Sequence, residues 1–506
     1  MADGRISRVL VANRGEIALR VIRACHEEGL EAVAVYSDAD RLAPHVRAAD
    51  SAVALGAPPA AESYLNVAKL IAAARASGCQ AVHPGYGFLS ERAPFADACV
   101  NAGLVFVGPP AAAMRAMGDK TEARRRMQAA GVPIVPGMLT PLHDAIEARR
   151  EAKRMGYPLL LKAAAGGGGK GMRVVRAEAE IESAFQGARS EAQKAFGDGA
   201  LYLEKYLERP RHIEIQVLAD KHGRVVALGE RECSIQRRHQ KLIEEAPSPV
   251  VSPALRRQIT SADAKVAKAV NFTNAGTIEF MLDEDGCFYF LEMNTRIQVE
   301  HPVTELVYGV DLVREQLRVA AGGPIRVHGG VLQPRGHAIE CRITAEDPFN
   351  GFLPATGVLQ FLRVPAGPGV RWDGGVEAGN EVTLYYDPLL AKLICWGESR
   401  EIAIQRMRRA LRELLIVGLP TAQPFYLRVM DEPEFRKGQM DITYLERVGQ
   451  RLLAAPPLAG VERALAVTAA LLADERRGAS QPATSARPPD RPSAWAEEGR
   501  REGLRE

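Results

Sequence analysis

The alternation of strand-like and helix-like segments at the start of the chain constrains the fold most strongly. The stretch SRVLVANRGEIALRVIRACHEEGLEAVAVYSD has the pattern of a strand, a glycine-containing turn, an amphipathic helix and a second strand, and CQAVHPGYGFLSERAPFADACVNAGLVFVGP repeats it. Strands that alternate with helices form parallel sheets, because each helix makes the crossover between neighbouring strands. We therefore predict an α/β fold with a doubly wound parallel sheet over residues 1–118. The NRGE turn is either a plain connection or a ligand contact.

The rest of the chain changes character and predicts further domains, since 506 residues exceed what one hydrophobic core holds. Residues 119–207 have the pattern of a small α+β unit, compact enough to move as a lid. Residues 208–447 are rich in strands with period-2 alternation, which favours an antiparallel, β-rich C-terminal part. Residues 448–506 predict one helix followed by a disordered tail rich in Pro, Ser, Arg and Glu.

A glycine-rich loop interrupts the 119–207 unit. LLLKAAAGGGGKGMRVV, residues 159–175, predicts two strands joined by a loop that contains Gly167, Gly168 and Gly169. The loop does not fit the GxxxxGK[ST] phosphate motif, because Ala164 stands at the first glycine position and Gly171 at the hydroxyl position. Glycine lets backbone N–H groups approach phosphate and permits closure, so we predict a mobile phosphate-covering tip.

The segment AGTIEFMLDEDGCFYFLEMNTRIQVEHP predicts a hairpin that carries acidic side chains. If Leu282 pairs with Cys287, then Glu279 faces Phe290 and lies diagonal to Glu292, with Asn294 on the same face. Two carboxylates and an amide oxygen on one sheet face are the oxygen ligands that Mg²⁺ takes beside nucleotide phosphates. The alternative is a solvent-facing polar strip.

A basic cluster precedes this hairpin in the chain. ERECSIQRRHQKLIEEAP places five polar or cationic side chains within six positions: Gln236, Arg237, Arg238, His239 and Lys241. Such a cluster alone is either a solvated surface or a binding site. Next to an acidic metal-binding face, it indicates an anionic substrate held against a metal-bound nucleotide.

Composition narrows the remaining function classes. The net charge of +3 is nearly balanced and gives no reason to expect nucleic acid. No apolar run is long enough for a membrane span, and the N-terminus has no secretory signal pattern. The seven cysteines are scattered without a CxxC pair, as is typical of reduced thiols. We therefore expect a cytoplasmic protein that does not interact with a membrane.

The ordered motifs of this chain resemble those of biotin carboxylases, the ATP-grasp component of biotin-dependent carboxylases. They are ANRGEIA, HPGYGFLSE, MGDK, GGGGKGM, RHIEIQVL, RRHQKLIEEAP, EMNTRIQVEHPVTE, GHAIECRI and YDPLLAKLI, between about Arg5 and Arg447. The resemblance implies a Rossmann-like pre-ATP-grasp domain over 1–118 and an ATP-grasp lid over 119–207. It also implies that the ATP-grasp core and a C-terminal biotin carboxylase domain lie within 208–447.

The resemblance also implies site residues. The nucleotide would be bound by the glycines of the loop together with Lys120, Lys162, Glu204, Lys205, Leu207, His212, Gln236, His239 and Ile442. The metal, Mg²⁺ or Mn²⁺, would be held by Glu279, Glu292 and Asn294. Bicarbonate would be bound by Lys241, Arg296, Gln298, Val299 and Glu300. Arg342 would lie beside the ureido oxygen of biotin, and Tyr86 would line the path by which biotin approaches the site.

The implied reaction is ATP- and bicarbonate-dependent carboxylation of biotin. Glu300 would deprotonate bicarbonate, which attacks the γ-phosphoryl group of ATP to give carboxyphosphate and ADP, with Lys241 and Arg296 beside the reacting groups. Arg342 would stabilise the enolate oxygen of biotin during carboxyl transfer.

The chain contains no Met-Lys dipeptide. We therefore expect biotin on a separate biotin carboxyl carrier protein, separate carboxyltransferase subunits, and a homodimer. Acetyl-CoA carboxylase of fatty acid synthesis is the first expectation, with propionyl-CoA or pyruvate carboxylase as alternatives. Two rival functions are another ATP-grasp ligase, such as a carbamoyl-phosphate or purine-pathway enzyme, and a catalytically silent nucleotide-binding subunit.

Overall fold

The computed structural model describes residues 6–164, 171–327, 333–454, 464–465 and 467–472. The chain divides into two compact units, Met1–Leu453 and Ala454–Glu506. In the second unit, residues 464–465 and 467–472 are helical. The tail predicted to be disordered, from residue 473, lies outside the described residues. No helix among the described residues has the length and apolar character needed to cross a bilayer.

The first unit begins with the predicted parallel sheet. Its strands are β1 (Arg8–Val11), β2 (Glu31–Ser37), β3 (Ser51–Gly56), β4 (Ala81–His83) and β5 (Val105–Phe106), in the order β3-β2-β1-β4-β5 with every pairing parallel. The helices between them are α1 (Gly15–Glu27), α2 (Pro44–Ala48), α3 (Val67–Ala76) and α4 (Ala93–Asn101). The centres of β1, β2 and β4 are apolar and fully buried, as expected for strands that are covered on both faces, whereas the edge strand β3 is largely exposed. The doubly wound prediction is confirmed.

The lid-sized unit follows two connecting helices, α5 (Ala111–Gly118) and α6 (Lys120–Ala129). It contains α7 (Ala145–Met155), β6 (Leu159–Ala163), β7 (Arg173–Val175), α8 (Ile181–Phe196) and β8 (Leu201–Lys205). The three strands form an antiparallel sheet in the order β7-β6-β8. The predicted pair of strands around the glycine loop is therefore present, while Gly167, Gly168 and Gly169 lie outside the described residues.

An eight-stranded antiparallel sheet forms the centre of the β-rich part, in the order β13-β12-β9-β10-β11-β14-β21-β19. Its strands are β9 (Arg211–Ala219), β10 (Val225–Arg237), β11 (Gln240–Ala246), β12 (Asn274–Leu282), β13 (Phe288–Asn294), β14 (His337–Thr344), β19 (Val370–Gly374) and β21 (Leu389–Gly397). The helices along this part of the chain are α9 (Pro253–Ala269), α10 (His301–Tyr308), α11 (Leu312–Ala320) and α12 (Arg400–Glu413).

Short elements complete the first unit. They are β15 (Glu346–Asp347), β16 (Leu353–Pro354), β17 (Gly357–Val358), β18 (Phe361–Arg363), β20 (Glu381–Val382), β22 (Leu415–Val417), α13 (Gln423–Asp431), α14 (Pro433–Arg436) and α15 (Tyr444–Leu453). Alternate residues of β14, such as Ile339, Cys341 and Ile343, pack into the core with α12 and α13. The intervening residues Glu340 and Arg342 therefore lie on the other face of the sheet, where the polar side chains described below gather.

Candidate active site

A row of charged side chains crosses four neighbouring strands of the large sheet. Glu292 of β13 is paired with Glu279 of β12, Glu279 with Glu214 of β9, and Glu214 with Arg231 of β10. Directly opposed side chains in antiparallel strands lie within about 5 Å of one another at Cβ. Three carboxylates in such a row repel one another, so the site requires cations.

The register of the β12–β13 hairpin differs from the prediction. Leu282 pairs with Phe288 rather than Cys287, because the turn closes through a hydrogen bond from Asp283 N to Cys287 O. Gly286 takes a φ of +79° in this turn, which favours glycine. An irregularity between Glu279 and Phe280 then places Glu279 opposite Glu292 instead of diagonal to it. The two acidic side chains are therefore closer in register than the sequence pattern predicted.

Lys241 of β11 provides the central positive charge of the site. Its Nζ donates to a Glu214 oxygen, to Glu279 Oε1 at 3.0 Å and to Glu300 Oε1 at 2.6 Å. Burial disfavours the charged ammonium, but the three carboxylates outweigh it and raise the pKa of Lys241 well above its usual value. One ammonium thus joins the predicted metal ligand Glu279 to the predicted base Glu300.

The second cation of the site, Arg231, is fully buried and saturated with hydrogen bonds. Its guanidinium donates to Glu214, to Gln298 Oε1 at 2.7 Å and to Gln216 Oε1 at 2.9 Å, and also to two threonine hydroxyls. Gln298 in turn donates to Glu279 Oε1 at 2.8 Å. Arg231 therefore holds Gln298, a predicted bicarbonate ligand, in a fixed position.

The predicted metal ligands are together and chemically suited to a divalent cation. Asn294 Nδ2 donates to Glu279 Oε1 at 2.8 Å, and His212 Nε2 lies 3.1 Å from Glu279 Oε2 without the alignment of a hydrogen bond. The side chain of Glu292 makes no hydrogen bond or ion pair within the described part of the chain. Burial and the nearby Glu279 raise the pKa of Glu292, whereas Lys241 and His212 overcome burial and lower the pKa of Glu279. A hard divalent cation would remove the remaining repulsion between the two carboxylates.

Glu300 lies between two cations at the end of the loop that precedes α10. Its Oε2 accepts a hydrogen bond from Arg342 Nη2 at 2.9 Å, and its Oε1 accepts the bond from Lys241. Burial opposes ionisation, but Lys241 and Arg342 hold the pKa of Glu300 well below its usual range. Arg342 also donates to Glu244 Oε1 at 2.6 Å. The predicted residues Lys241 and Arg342 therefore both contact the predicted base, Glu300.

Arg296 approaches the same region from the β13 side. Its Nε lies 2.9 Å from Glu91 Oε2, and its Nη2 donates to Asn294 Oδ1 at 3.2 Å. Glu91 also accepts from the backbone of Thr295 at 3.0 Å. The N-terminal domain therefore supplies a carboxylate that orients Arg296.

The predicted basic cluster is a tight hairpin turn between β10 and β11. Arg237 pairs with Gln240, and Arg238 and His239 form the two-residue loop with φ values of 49° and 64°. Positive φ at both central positions belongs to the hairpin turn that usually contains Asn or Gly. Burial, and to a smaller degree Lys162, lower the pKa of His239. Gln236, the last site residue before the turn, donates to Cys233 O at 2.8 Å.

The predicted phosphate-binding lysines stand on α6 and on β6, and the N–H of Lys120 donates to the carbonyl of Ala164, just after β6, at 3.4 Å. Lys162 of β6 is buried, and its Nζ donates to Glu204 Oε1 of β8 at 2.7 Å. Arg124 donates to the other oxygen of Glu204 at 3.1 Å. Lys120 is the first residue of α6, where burial lowers its pKa although Glu292 attracts its charge.

The residues predicted to hold adenine lie at the end of β8, just after β8, and in the C-terminal part of the chain. Lys205 donates through Nζ to Gly156 O at 3.1 Å, and Leu207 is half-buried just beyond the strand. Ile442 is half-buried, and its N–H donates to Pro210 O at 3.0 Å, which places it beside the segment that follows Leu207. Tyr86, predicted near biotin, donates its hydroxyl to Glu16.

Four polar residues of this network were missed by the sequence reasoning: Glu91, Glu214, Arg231 and Glu244. A signal for Glu214 was present, because His212, Glu214 and Gln216 alternate with apolar residues in RHIEIQVL. Three alternate polar residues in a strand flanked on both sides by other strands indicate one polar buried face. Arg231 gave no comparable signal, since it stands between Glu230 and Glu232 and no polar–apolar alternation marks its face.

Comparison with known proteins identifies the family. Three family models match in order: the biotin carboxylase N-terminal domain at residues 5–114, the ATP binding domain of the carbamoyl-phosphate synthase L chain at 119–328, and the biotin carboxylase C-terminal domain at 340–447. The biotin carboxylase of Nostoc sp. is 52% identical over 446 residues, covering 88% of this chain and 100% of that protein. The chain belongs to the biotin carboxylase family. As a biotin carboxylase it is a ligase that carboxylates biotin with ATP and bicarbonate.

Other biotin carboxylases agree in sequence and in structure. The Haemophilus influenzae biotin carboxylase is 52% identical and covers 87% of this chain and 98% of its own length. The Campylobacter jejuni biotin carboxylase–β,γ-ATP complex has a TM-score of 0.85 and 46% identity, and covers 88% of this chain and 99% of its own. The biotin carboxylase domain dimer of Hydrogenobacter thermophilus 2-oxoglutarate carboxylase was solved with MgADP, ADP and bicarbonate. It has a TM-score of 0.86 and 47% identity, and the match covers 90% of this chain and 100% of that chain.

Proposed function

We propose that this biotin carboxylase catalyses the first half-reaction of a multisubunit carboxylase, with the catalytic and binding residues assigned below. The observation that carries the proposal is the contact of one ammonium, that of Lys241, with both Glu279 and Glu300. A group that contacts the metal ligand and the base together can bind the anion that reacts between them. The chain uses ATP, Mg²⁺ or Mn²⁺ and biotin for this reaction.

Bicarbonate is bound by Lys241, Arg296, Gln298, the Val299 backbone and Glu300. Glu300 accepts the bicarbonate proton, and the resulting carbonate oxygen attacks the γ-phosphorus of ATP as the bond to ADP breaks. A carboxylate with a lowered pKa is a weak base by itself. Because Lys241 and Arg296 carry positive charge beside the reacting oxygen, they favour the more highly charged carbonate and offset that weakness.

The nucleotide is bound between the lid and the large sheet. Lys120 and Lys162 contact the phosphates, and Gly167, Gly168 and Gly169 cover them from the loop that lies outside the described residues. Glu204, Lys205, Leu207 and Ile442 hold the adenine ring, with His212, Gln236 and His239 lining the pocket. The ion pair between Lys162 and Glu204 is then exchanged, in part, for contact with phosphate.

The divalent cation would be held by Glu279, Glu292 and Asn294. The fit rests on the carboxylate pair of Glu279 and Glu292, of which Glu292 has no ionic partner in the described residues. When bound, the cation would neutralise charge on the phosphoryl oxygens.

Biotin is the acceptor of the carboxyl group. Carboxyphosphate breaks down to CO₂ and phosphate, and the phosphate takes the proton from N1 of biotin, which then attacks CO₂. Arg342 stabilises the negative charge that develops on the ureido oxygen, as a cation aimed at developing charge should. Tyr86 lines the approach of the ring.

The proposed partners are supported by the similar proteins rather than by the geometry of the site. We propose a biotin carboxyl carrier protein and carboxyltransferase subunits as separate partners, a homodimer, and a cytoplasmic location. The dimer is supported by the Hydrogenobacter domain dimer. Acetyl-CoA is the proposed final acceptor, because this chain matches two proteins named biotin carboxylase over 100% and 98% of their length. Pyruvate and propionyl-CoA are the alternatives, supported by a pyruvate carboxylase subunit of Methanothermobacter thermautotrophicus and the propionyl-CoA carboxylase alpha chain of Ruegeria pomeroyi.

We propose four parts for the chain: 1–118, 119–207, 208–447 and 448–506. The proposed function is tested by following radiolabelled bicarbonate. The purified chain, ATP and Mg²⁺ should transfer label to a biotinylated carrier protein, and the cognate carboxyltransferase should pass it to acetyl-CoA. Label that reaches the carrier but passes only to pyruvate or propionyl-CoA would change the pathway and leave the half-reaction intact. No label on either biotin or carrier would contradict the half-reaction.

A further inference from the structure

Three of the sequence motifs that have little or no role in the chemistry above meet at one buried contact. ANRGEIA contributes Glu16 of α1, HPGYGFLSE contributes Tyr86, and YDPLLAKLI contributes Lys392 of β21. Tyr86 donates its hydroxyl to Glu16 Oε1, and Lys392 Nζ lies 3.2 Å from the same oxygen. The ammonium also lies 5.9 Å from the centroid of the Tyr86 ring. The N-terminal domain and the large sheet are therefore joined by a carboxylate and an ammonium.

Lys392 also contacts the segment that carries the base. Its side chain has 0% exposure, and its Nζ donates to Val299 O at 2.9 Å. The carbonyl of Val299 and the N–H of Glu300 belong to the same planar peptide group. A hydrogen bond that fixes this carbonyl therefore fixes the backbone on which the Glu300 side chain is mounted.

The position of the Lys392 ammonium destabilises the folded chain. Lys392 is paired with Arg342 across β14 and β21, so two cations lie directly opposite each other. Opposed like charges destabilise an antiparallel pair, and burial of an ammonium carries a desolvation penalty. Glu16 at 3.2 Å and Asp373 at 3.9 Å offset part of this cost. An apolar side chain, like those of the neighbouring Ala391 and Leu393, would avoid the cost but could not hold the Val299 carbonyl.

We propose that Lys392 is a positioning residue, which fixes the Val299–Glu300 peptide and links it through Glu16 to Tyr86. The inference rests on the proposed function, in which Val299 and Glu300 bind bicarbonate and Tyr86 lines the biotin approach. Lys392 acts through these groups and not on the reacting atoms. Its loss should therefore affect bicarbonate and biotin, while the nucleotide, held by the lid and by Lys120, is unaffected.

The first test is Lys392→Met, which keeps an unbranched side chain of similar length and removes the charge. We expect the KM for bicarbonate to rise and kcat for biotin carboxylation to fall by about 10- to 100-fold, because a small misplacement of reacting groups has effects of that order. The KM for ATP should stay within about twofold. Wild-type values of both kcat and the bicarbonate KM in a folded variant would overturn the proposal, and so would an equal rise of all the Michaelis constants.

Arg318→Met is the matched control for loss of a buried cation. Arg318 of α11 is 10% exposed and pairs with Glu28 and Glu315, away from the site. We expect it to lower the melting temperature while leaving the bicarbonate KM unchanged. A bicarbonate KM raised as much as in Lys392→Met would mean that general destabilisation explains the effect, and would count against positioning.

Hydrogen exchange provides a readout that does not depend on activity. In Lys392→Met the peptide covering residues 296–304 should take up deuterium faster than in the wild type, whereas the Arg318 variant should match the wild type there. Unchanged deuterium uptake of this peptide in Lys392→Met would contradict the positioning role, whichever substrate the enzyme uses. Absence of bicarbonate-dependent ATP cleavage in the wild type would contradict the proposed function instead.

Glu16→Gln is the second test, which applies even if Lys392→Met does not fold. This change preserves side-chain volume and removes the carboxylate that joins Lys392 to Tyr86. We expect a rise of about threefold to tenfold in the bicarbonate KM, because the charge-assisted bond to Lys392 is lost and a neutral amide replaces only part of it. A bicarbonate KM and a kcat equal to those of the wild type would overturn the link between the two domains.

Discussion

Arg342 Nη2 lies 2.9 Å from Glu300 Oε2, so the cation assigned to biotin is already paired with the base assigned to bicarbonate. We predict that Arg342→Ala lowers biotin carboxylation by about 100-fold or more, the usual effect of removing a group that stabilises developing charge. Nucleotide binding should be nearly unchanged, because no nucleotide residue contacts Arg342 among the described residues. Steady-state kinetics with free biotin and a fluorescent-nucleotide titration check this, and an equal loss of ATP affinity would count against the assignment.

Glu300→Gln should remove the base while keeping the side chain's size. We expect kcat to fall by about 10²- to 10⁴-fold, the range for loss of general base catalysis. Because Lys241 and Arg342 hold the pKa of Glu300 well below its usual range, the wild-type carboxylate stays ionised at neutral and mildly acidic pH. The wild-type rate should therefore show no inflection from Glu300 above about pH 5. Bicarbonate-dependent ADP release at substrate saturation measures both effects, and a Gln variant with more than a tenth of wild-type kcat would contradict the role.

Glu244 should give the rate a pH dependence near neutrality. Burial raises the pKa of Glu244 to about 7, although Arg342 opposes the shift. As the pH falls through 7, Glu244 takes up a proton and its charge-assisted bond to Arg342 weakens. The kcat/KM for biotin should then fall on the acid side. Glu244→Gln should give a lower value that is flat between about pH 6 and 8, and retention of the inflection in this variant would assign it to another group.

The Glu279–Glu292 pair should set the metal requirement. Glu279→Gln and Glu292→Gln should each raise the Mg²⁺ concentration for half-maximal ATP cleavage by about tenfold or more, because each removes a charged ligand. Glu284→Gln, in the exposed turn of the same hairpin, is the matched control and should not change it. Metal titrations at fixed ATP check the prediction. A requirement unchanged in both site variants would exclude this pair as the metal site.

Asp263 of α9 should limit stability at neutral pH. Its side chain is fully buried, both carboxylate oxygens are without a hydrogen-bond partner among the residues that the structure describes, and burial raises its pKa well above the usual value. The folded protein therefore retains a proton that the unfolded chain releases above about pH 4, so the free energy of unfolding falls as the pH rises. Asp263→Ala removes this dependence and should stabilise the protein at pH 7 by about 1–3 kcal/mol.

The difference in melting temperature between Asp263→Ala and the wild type should be small at pH 5 and should grow toward pH 8. Asp285→Ala, at an exposed position in the β12–β13 turn, should show no such growth. A destabilised Asp263→Ala variant at pH 8 would mean that the carboxylate has a favourable partner in solution.

The sequence predicted the elements of the site better than their pairing. Alternation of strands and helices was sufficient for the parallel sheet, and period-2 spacing brought Glu279, Glu292 and Asn294 to one face. It could not give the register, because the turn closes between Asp283 and Cys287 and an irregularity follows Glu279. Alternation of polar and apolar residues specifies neither feature.

Local sequence patterns could not predict the contacts between segments that are distant in the chain. Glu91 meets Arg296 from 205 positions away, and Glu244 meets Arg342 from 98 positions away. A single carboxylate in a strand gives no sign of the cation that it faces, since cross-sheet partners are chosen by tertiary packing. The roles of the motif residues came from family resemblance, whereas their common contact with Lys241 is visible only in three dimensions.

The assignment of this chain as a biotin carboxylase is tested by the dependence of ADP formation on bicarbonate and free biotin. ATP cleavage should require bicarbonate and increase when biotin is added, and label from radioactive bicarbonate should appear on biotin. Label in carbamoyl phosphate with ammonia present, or ADP formation that is indifferent to both bicarbonate and biotin, would contradict it.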